Sequence, residues 1–290
     1  MFQTSALDLW KEECERIGIL TFCKDLDLAL GTGIAQGLIT ELCGRPGSGK
    51  TQFCLQLSVN VQIPHQLGGL EGRVAYLDTK YGFSPQRIQD MAKACLDHCT
   101  KLIASVPHKY NAQEIMAGFT MDSIMNNILY THVRNCSHIM EAIAVLQNKC
   151  YAGEKIKLII IDSLSFVVRN TIPRTLERVK RLHEILTPLH KLAHRFGCVV
   201  VVTNDLTTKI TDSKKPFDNI QIVPALGESH SHKINQRIIL GRDDTNGQQQ
   251  HLNRYIASIV KSPTTPPISV AFIIETAGIR DVRQGRTQAP

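Results

Sequence analysis

Apolar residues recur along the chain in two rhythms. Short unbroken runs, such as Leu158–Ile161 and Val199–Val202, have the pattern of strands buried on both faces. Between them lie stretches with apolar residues three and four apart. Ser84–Cys99 places Ile88, Met91, Ala92 and Cys95 on one helical face. The same reading predicts a short amphipathic helix from an N-cap at Ser5 to about Ile17, a strand over Leu38–Cys43 and a helix over Lys50–Gln62. A strand over Arg73–Leu77, a helix and then a strand within Ile124–Val133, and a helix over Ser137–Lys149 follow. Next come a strand over Lys157–Asp162, a long helix over Thr175–Phe196, interrupted or shifted near Pro188, and a strand over Cys198–Thr203. Ile234–Leu240, Tyr255–Val260 and Ser269–Glu275 predict later strands without long helices between them. Alternating strands and helices predict an α/β fold: a mostly parallel central sheet flanked by helices, with an antiparallel C-terminal extension. No internal repeat and no linker divides the chain.

Composition narrows the class. Of 290 residues, 43% are apolar and 20% charged, a globular balance that excludes a disordered chain. No apolar run approaches the roughly 20 residues that span a bilayer, so no membrane partner is expected. The first residues carry charges where a secretory signal needs an apolar stretch. Nine cysteines, an odd number without paired spacing, predict free thiols in a reducing compartment. The formal charge is +7. Much of it gathers where Arg169, Arg174, Arg178, Lys180, Arg181, Lys191 and Arg195 stand against Glu177 and Glu184. Such a face suits a polyanion, or a solvated helix.

The sharpest signal is Gly44, Arg45, Pro46, Gly47, Ser48, Gly49, Lys50 and Thr51, a complete G-x-x-x-x-G-K-S/T motif between a predicted strand and a predicted helix. Glycines let the backbone curl its N–H groups toward phosphates, and the helix adds its positive end. Lys50 reaches terminal phosphates and Thr51 offers a hydroxyl to Mg²⁺. Asp162, at the end of the Leu158–Ile161 run, stands where an α/β sheet binds ligands and suits the metal shell. ATP and Mg²⁺ are the expected cofactors.

These residues carry a resemblance. Thr21–Gly33 and Ile39–Gln52 look like the opening of the eukaryotic RecA-type recombinase core. Leu77–Thr79, Ile161–Ser163, Thr203–Asn204 and Lys214–Pro216 match in order and spacing. Within the family, Val61–Pro64, Thr207–Ile210, Val223–Ser229 and Lys261–Pro263 most resemble the branch of the C paralogue. The likeness runs from about Ser5 to Asp281. It implies a RecA-like P-loop ATPase core over residues 21–290, after an N-terminal helix and linker segment over 1–20. It implies a role in homologous recombination, in double-strand break repair and meiosis, and a nuclear location, with the cytoplasm as a second one. Gln52 falls within the matched phosphate motif, Arg87 matches an arginine against adenine, and Pro263 matches a proline that caps the neighbouring subunit's nucleotide. His232 matches an interface histidine. Two DNA-facing loops would lie at about Val168–Arg174, with Arg169 and Arg174, and at about Leu206–Val223, with Lys209, Lys214 and Lys215.

Three departures from the family pattern matter. Lys80 stands where the family has the glutamate that activates water. A lysine, cationic near neutral pH, is a poor proton acceptor, so weak hydrolysis is expected. Asp78, two residues earlier, is a partial substitute. Asp205 replaces the glutamine that senses the terminal phosphate, and is expected to pair with Lys80. The small helical domain that precedes the family's core is not found, so a hetero-oligomer with other recombinase paralogues is expected over self-polymerisation. Single-stranded or branched DNA is the other expected partner. Three functions compete: an ATP-binding factor that promotes strand-exchange filaments, a DNA-dependent ATPase that exchanges strands itself, and a hexameric helicase or nucleotide kinase on a similar core, which the Val223–Ser229 and Lys261–Pro263 matches do not suit. The departures favour the first.

Overall fold

The computed structural model describes residues 4–106, 111–210, 220–228, 230–243 and 253–282. Helix α1 (Ala6–Glu15) starts where the Ser5 hydroxyl accepts the Asp8 amide at 3.1 Å, and none of its residues is buried. After α2 (Lys24–Ala29) come β1 (Ile39–Gly44), buried throughout, and α3 (Lys50–Asn60). β2 (Arg73–Asp78) leads to α4 (Pro85–Ser105), capped by Ser84 with Pro85 in its first turn. Short helices α5 (Ala112–Ala117) and α6 (Met121–Asn126) precede β3 (Ile128–His132), α7 (Cys136–Tyr151) and β4 (Ile156–Asp162). Then come α8 (Leu164–Thr171), α9 (Thr175–Phe196), β5 (Val199–Ile210), β6 (Ile220–Pro224), β7 (Gln236–Arg242), β8 (Arg254–Lys261), β9 (Ile268–Glu275) and β10 (Gly278–Asp281).

These strands form one sheet in the order β10-β9-β8-β7-β1-β5-β4-β2-β3, with β6 beside β5. From β7 to β3 the pairs are parallel; β8, β9 and β10 add antiparallel strands. The unbroken apolar runs now have a cause. Leu158 and Ile160, with Val199 and Val201, pack with Phe53, Leu57 and Met91 of α3 and α4 on one face. Ile159 and Ile161, with Val200 and Val202, pack with Ile139, Leu186 and Leu189 of α7 and α9 on the other. A strand with helices on both sides needs apolar residues at every position.

Four expectations change. The Ile234–Leu240 strand belongs to the parallel part, because β7 lies parallel to β1. Helix α9 runs unbroken through Pro188; buried Ile185, Leu186, Leu189 and Leu192 on both sides of the proline hold it against a local cost of about 3 kcal/mol. Much of the Val168–Arg174 loop is helical, since α8 extends to Thr171. β5 continues beyond Thr203 to Ile210 and pairs antiparallel with β6, so Leu206–Ile210 and Ile220–Val223 are hairpin rather than loop. All nine cysteines are free thiols, and all but Cys14 are buried. Among the described residues no helix is long and apolar enough to cross a membrane.

Candidate nucleotide-phosphate site

Parallel register brings the carboxyl ends of β1, β5, β4 and β2 to one edge: Gly44 lies opposite Asp205, and Asp78 opposite Asp162. Ligands bind beyond such ends. The turn between β1 and α3 has Gly47 at φ 79° and Gly49 at φ 91°, left-handed angles that favour glycine. A Cβ on Gly44 would meet Ser48 Oγ at 2.1 Å and the Leu240 carbonyl at 2.6 Å. Gly47 faces open space, Arg45 and Pro46 are exposed, and the buried Ser48 hydroxyl has no protein partner. Lys50 Nζ donates to the carbonyls of Gly44 (2.6 Å) and Arg45 (3.1 Å). Curled glycines, a helix N-terminus, a buried ammonium and an unpartnered hydroxyl are together the chemistry of a phosphate cradle.

Asp162 accepts three hydroxyls: Thr51 Oγ1 at 2.7 Å, Tyr76 Oη at 3.0 Å and Thr203 Oγ1 at 2.7 Å. None brings a positive charge, so Thr51 and Asp162 suit a divalent cation. The Asp162–Ser163 peptide is cis.

Asp205 is built differently. Its Oδ2 meets Lys80 Nζ at 2.9 Å and its Oδ1 meets Lys50 Nζ at 3.1 Å. The Lys80–Asp205 pair expected from the sequence is formed, and Lys50 joins it. Burial opposes the charge on Asp205, but the Lys80 and Lys50 ammoniums outweigh it and hold the carboxyl below its usual range. Ser165 Oγ adds a bond at 3.2 Å, and Lys80 also lies over the Phe166 ring, 5.2 Å from its centre.

Asp78 is engaged elsewhere. Its carboxylate accepts the amides of Lys80 (3.0 Å), Gly82 (3.3 Å) and Phe83 (3.0 Å), and so shapes the turn that carries Lys80. With both oxygens spent on this turn, it is no ready substitute base. Arg87 bonds Gln52 Oε1 at 2.6 Å and the carbonyls of Glu275 and Thr276, which ties α4 to the β9–β10 turn beside the cradle.

The remaining predicted residues lie apart from the cradle. Pro263 is exposed just after β8, and Lys261 pairs in register with Arg237 near the start of β7. His232 is exposed in the neighbouring turn, which Lys261 Nζ ties down through the carbonyls of Ser231 and Ile234. Both therefore sit toward the sheet edge opposite Gly44. Arg169 and Lys209 are exposed, and Arg174 pairs with Glu177 at 3.4 Å. Lys214 and Lys215 lie outside the described residues.

Sequence reading missed the cluster behind the cradle. Glu41, fully buried on β1, meets His230 Nε2 at 2.9 Å, Asn204 Nδ2 at 2.8 Å and Arg237 Nε at 2.6 Å. Burial works against its charge, yet these three partners prevail and lower its pKa to about 2. A glutamate inside an apolar strand was the available signal, because a charge there must be partnered.

The parallel sheet, the glycine cradle and the carboxylate at the neighbouring strand end define a nucleotide-binding protein of RecA-like architecture. The Rad51 family model matches residues 12–116 and 106–282, and the chain belongs to that family. It is 33% identical over 277 residues to DNA repair protein RAD51 homolog 3 of Cricetulus griseus, covering 96% of this chain and 72% of that one. The homolog 3 protein of Dictyostelium discoideum is 33% identical, with 96% and 69% covered. DNA repair protein RAD51 homolog 2 of Homo sapiens is 32% identical, with 88% and 66% covered. The chain is thus similar both to RAD51 homolog 3 and to RAD51 homolog 2 proteins.

Proposed function

We propose that this paralogue acts in homologous recombination by binding Mg²⁺–ATP as an assembly element. It promotes strand-exchange filaments in a hetero-oligomer with other recombinase paralogues, on single-stranded or branched DNA in the nucleus, during double-strand break repair and meiotic recombination. The relatives named above are DNA repair proteins by name, and the cradle suits a nucleotide. Lys50 and the backbone amides of the turn bind the phosphates, and Thr51 and Asp162 hold the metal. Bound Mg²⁺ neutralises charge on the outer phosphates. Arg87 and Gln52 flank the base. Pro263 and His232, toward the opposite edge, serve a neighbouring subunit's nucleotide, and Arg169, Arg174, Lys209, Lys214 and Lys215 contact DNA phosphates.

One observation carries the preference for binding over turnover: Lys80 and Lys50 both grip Asp205, while Asp78 is spent on its turn. Neither carboxylate is left to take a proton from an attacking water, and losing such a base costs orders of magnitude in rate. The test is ATP turnover with and without single-stranded DNA, in a Lys80→Glu, Asp205→Gln double-mutant cycle. Turnover should be weak in the wild type, and should rise in the double variant by more than the product of the single effects. Ordinary DNA-stimulated hydrolysis by the wild type would defeat the reading, and strict additivity would reject the coupling.

A further inference from the structure

Helix α9 carries a line of positive charge that its packing does not use. Its inner face is spent on the core: Leu182, Ile185, Leu186, Leu189, Leu192 and Ala193 are buried. At about 100° per residue, Lys180, His183, Thr187, Lys191 and His194 fall on one line along the outer side. Both lysines and both histidines are exposed. The acids of the helix do not neutralise this line, because Glu177 pairs with Arg174 at 3.4 Å and Glu184 with Arg181 at 2.7 Å. Among the described residues neither Lys180 nor Lys191 is in an ion pair. At about 1.5 Å per residue the two ammoniums are spaced about 16 Å along the helix, a reach that suits a chain of phosphates.

The far end of the line adds a second chemistry. Tyr151, the last residue of α7, is 60% exposed, and the Arg195 guanidinium lies 4.7 Å from the centre of its ring. Tyr151 shares one groove with His190, Lys191, His194 and Arg195. An exposed ring beside lysines is the surface that a single nucleic acid strand uses: phosphates meet the ammoniums, and an unpaired base stacks on the ring. An acidic peptide would use the charges and leave the ring without a partner, and a duplex keeps its bases stacked inside. The near end of the line adjoins the DNA contacts proposed above, since α9 begins directly after Arg174. Gly37 and Leu38, just before β1, and Asn235, just before β7, line the groove at its far end. We propose that the outer face of α9 and the Tyr151 ring form a second track for single-stranded DNA, which carries a strand from the turn at Arg174 to the amino edge of the parallel sheet. This rests on the reading that the protein works on DNA.

The experiment is fluorescence anisotropy of a labelled oligothymidine of about 20 nucleotides, titrated with the full chain and Mg²⁺–ATP over a range of salt. The paired substitution Lys180→Ala, Lys191→Ala should weaken binding about tenfold or more at low salt. It should also flatten the dependence of log affinity on log salt by about 1.4, two phosphates at about 0.7 each. Tyr151→Ala should weaken binding at least about fivefold with the salt slope unchanged, because stacking is not ionic, and Tyr151→Phe, which keeps the ring, should bind as the wild type does. Unchanged ATP affinity in all of these variants would show that the fold is intact. If the lysine pair moves neither affinity nor slope while Arg169→Ala, Arg174→Ala abolishes binding, the inference is overturned and the DNA reading stands. Displacement of the oligonucleotide by polyglutamate, with no effect of Tyr151→Ala, would overturn it in favour of an acidic protein partner. Failure of the wild type to bind the oligonucleotide at all would overturn the DNA reading and the inference together.

Discussion

Asp162 ends β4, Asp205 lies on the neighbouring parallel strand β5 where its register with β1 ends, and both touch residues of the phosphate motif, yet their surroundings are opposite. Asp162 is ringed by the hydroxyls of Thr51, Tyr76 and Thr203, neutral donors that leave its charge uncompensated. Asp205 lies between the ammoniums of Lys50 and Lys80, so its immediate cluster carries a net positive charge, two lysines against one aspartate. The same side chain is thus held by neutral hydroxyls on one strand and by two ammoniums on the next. What a carboxylate does in this pocket is set by its donors and not by its place in the sheet.

The contrast can be broken from either side. The largest effect is expected from Lys50→Ala, which removes the ammonium shared by the cradle and Asp205. Nucleotide affinity should fall about 100-fold, measured by titration, because a charge-assisted contact to phosphate is lost. A fall of less than about threefold would separate the lysine from the ligand altogether. Next is Asp162→Asn. Affinity measured with Mg²⁺ should drop about tenfold, while affinity in a chelator should hold, since only the metal-supported part is removed. An intact Mg²⁺ enhancement would place the cation elsewhere. The smallest effect concerns acid stability. The carboxyl of Asp205 titrates lower in the folded chain than in the unfolded one. Its contribution is therefore complete above the unfolded pKa of about 3.9 and disappears as pH falls through the folded value. With its side chain 22% exposed, the amount is about 1 kcal/mol or less. The gap in unfolding free energy between wild type and Asp205→Asn should narrow below about pH 4. A gap that stays constant from neutral to acid pH would show that the pair does not stabilise the fold.

Much of this was legible in the sequence. The phosphate turn announces itself because glycine, lysine and threonine at fixed spacing serve one ligand chemistry. The strands flanking it were readable because helices on both faces demand apolar residues at each position. Lys80 and Asp205 were conspicuous as departures, and two opposite charges replacing two expected residues predicted their meeting. Lys50 as a third member was hidden, because nothing in the order of residues says how far its ammonium bends toward β5. Asp78 misled for a similar reason. A carboxylate near the site reads as chemistry until the turn amides of Lys80, Gly82 and Phe83 are seen to use it. Local propensity also failed where packing ruled, as at Pro188, and α2 and α5 were too short to show a helical period.

Glu41 has a consequence that reaches past its own strand. One carboxylate answers to Asn204 on β5, Arg237 on β7 and His230 on the turn before it. Arg237 cannot drift from β1 without leaving the Glu41 carboxylate in the protein interior without its guanidinium. The strand that leads into the glycine turn is therefore tied by one side chain to β5, to β7 and to the turn just before His232, and Glu41→Gln is expected to loosen all of them together.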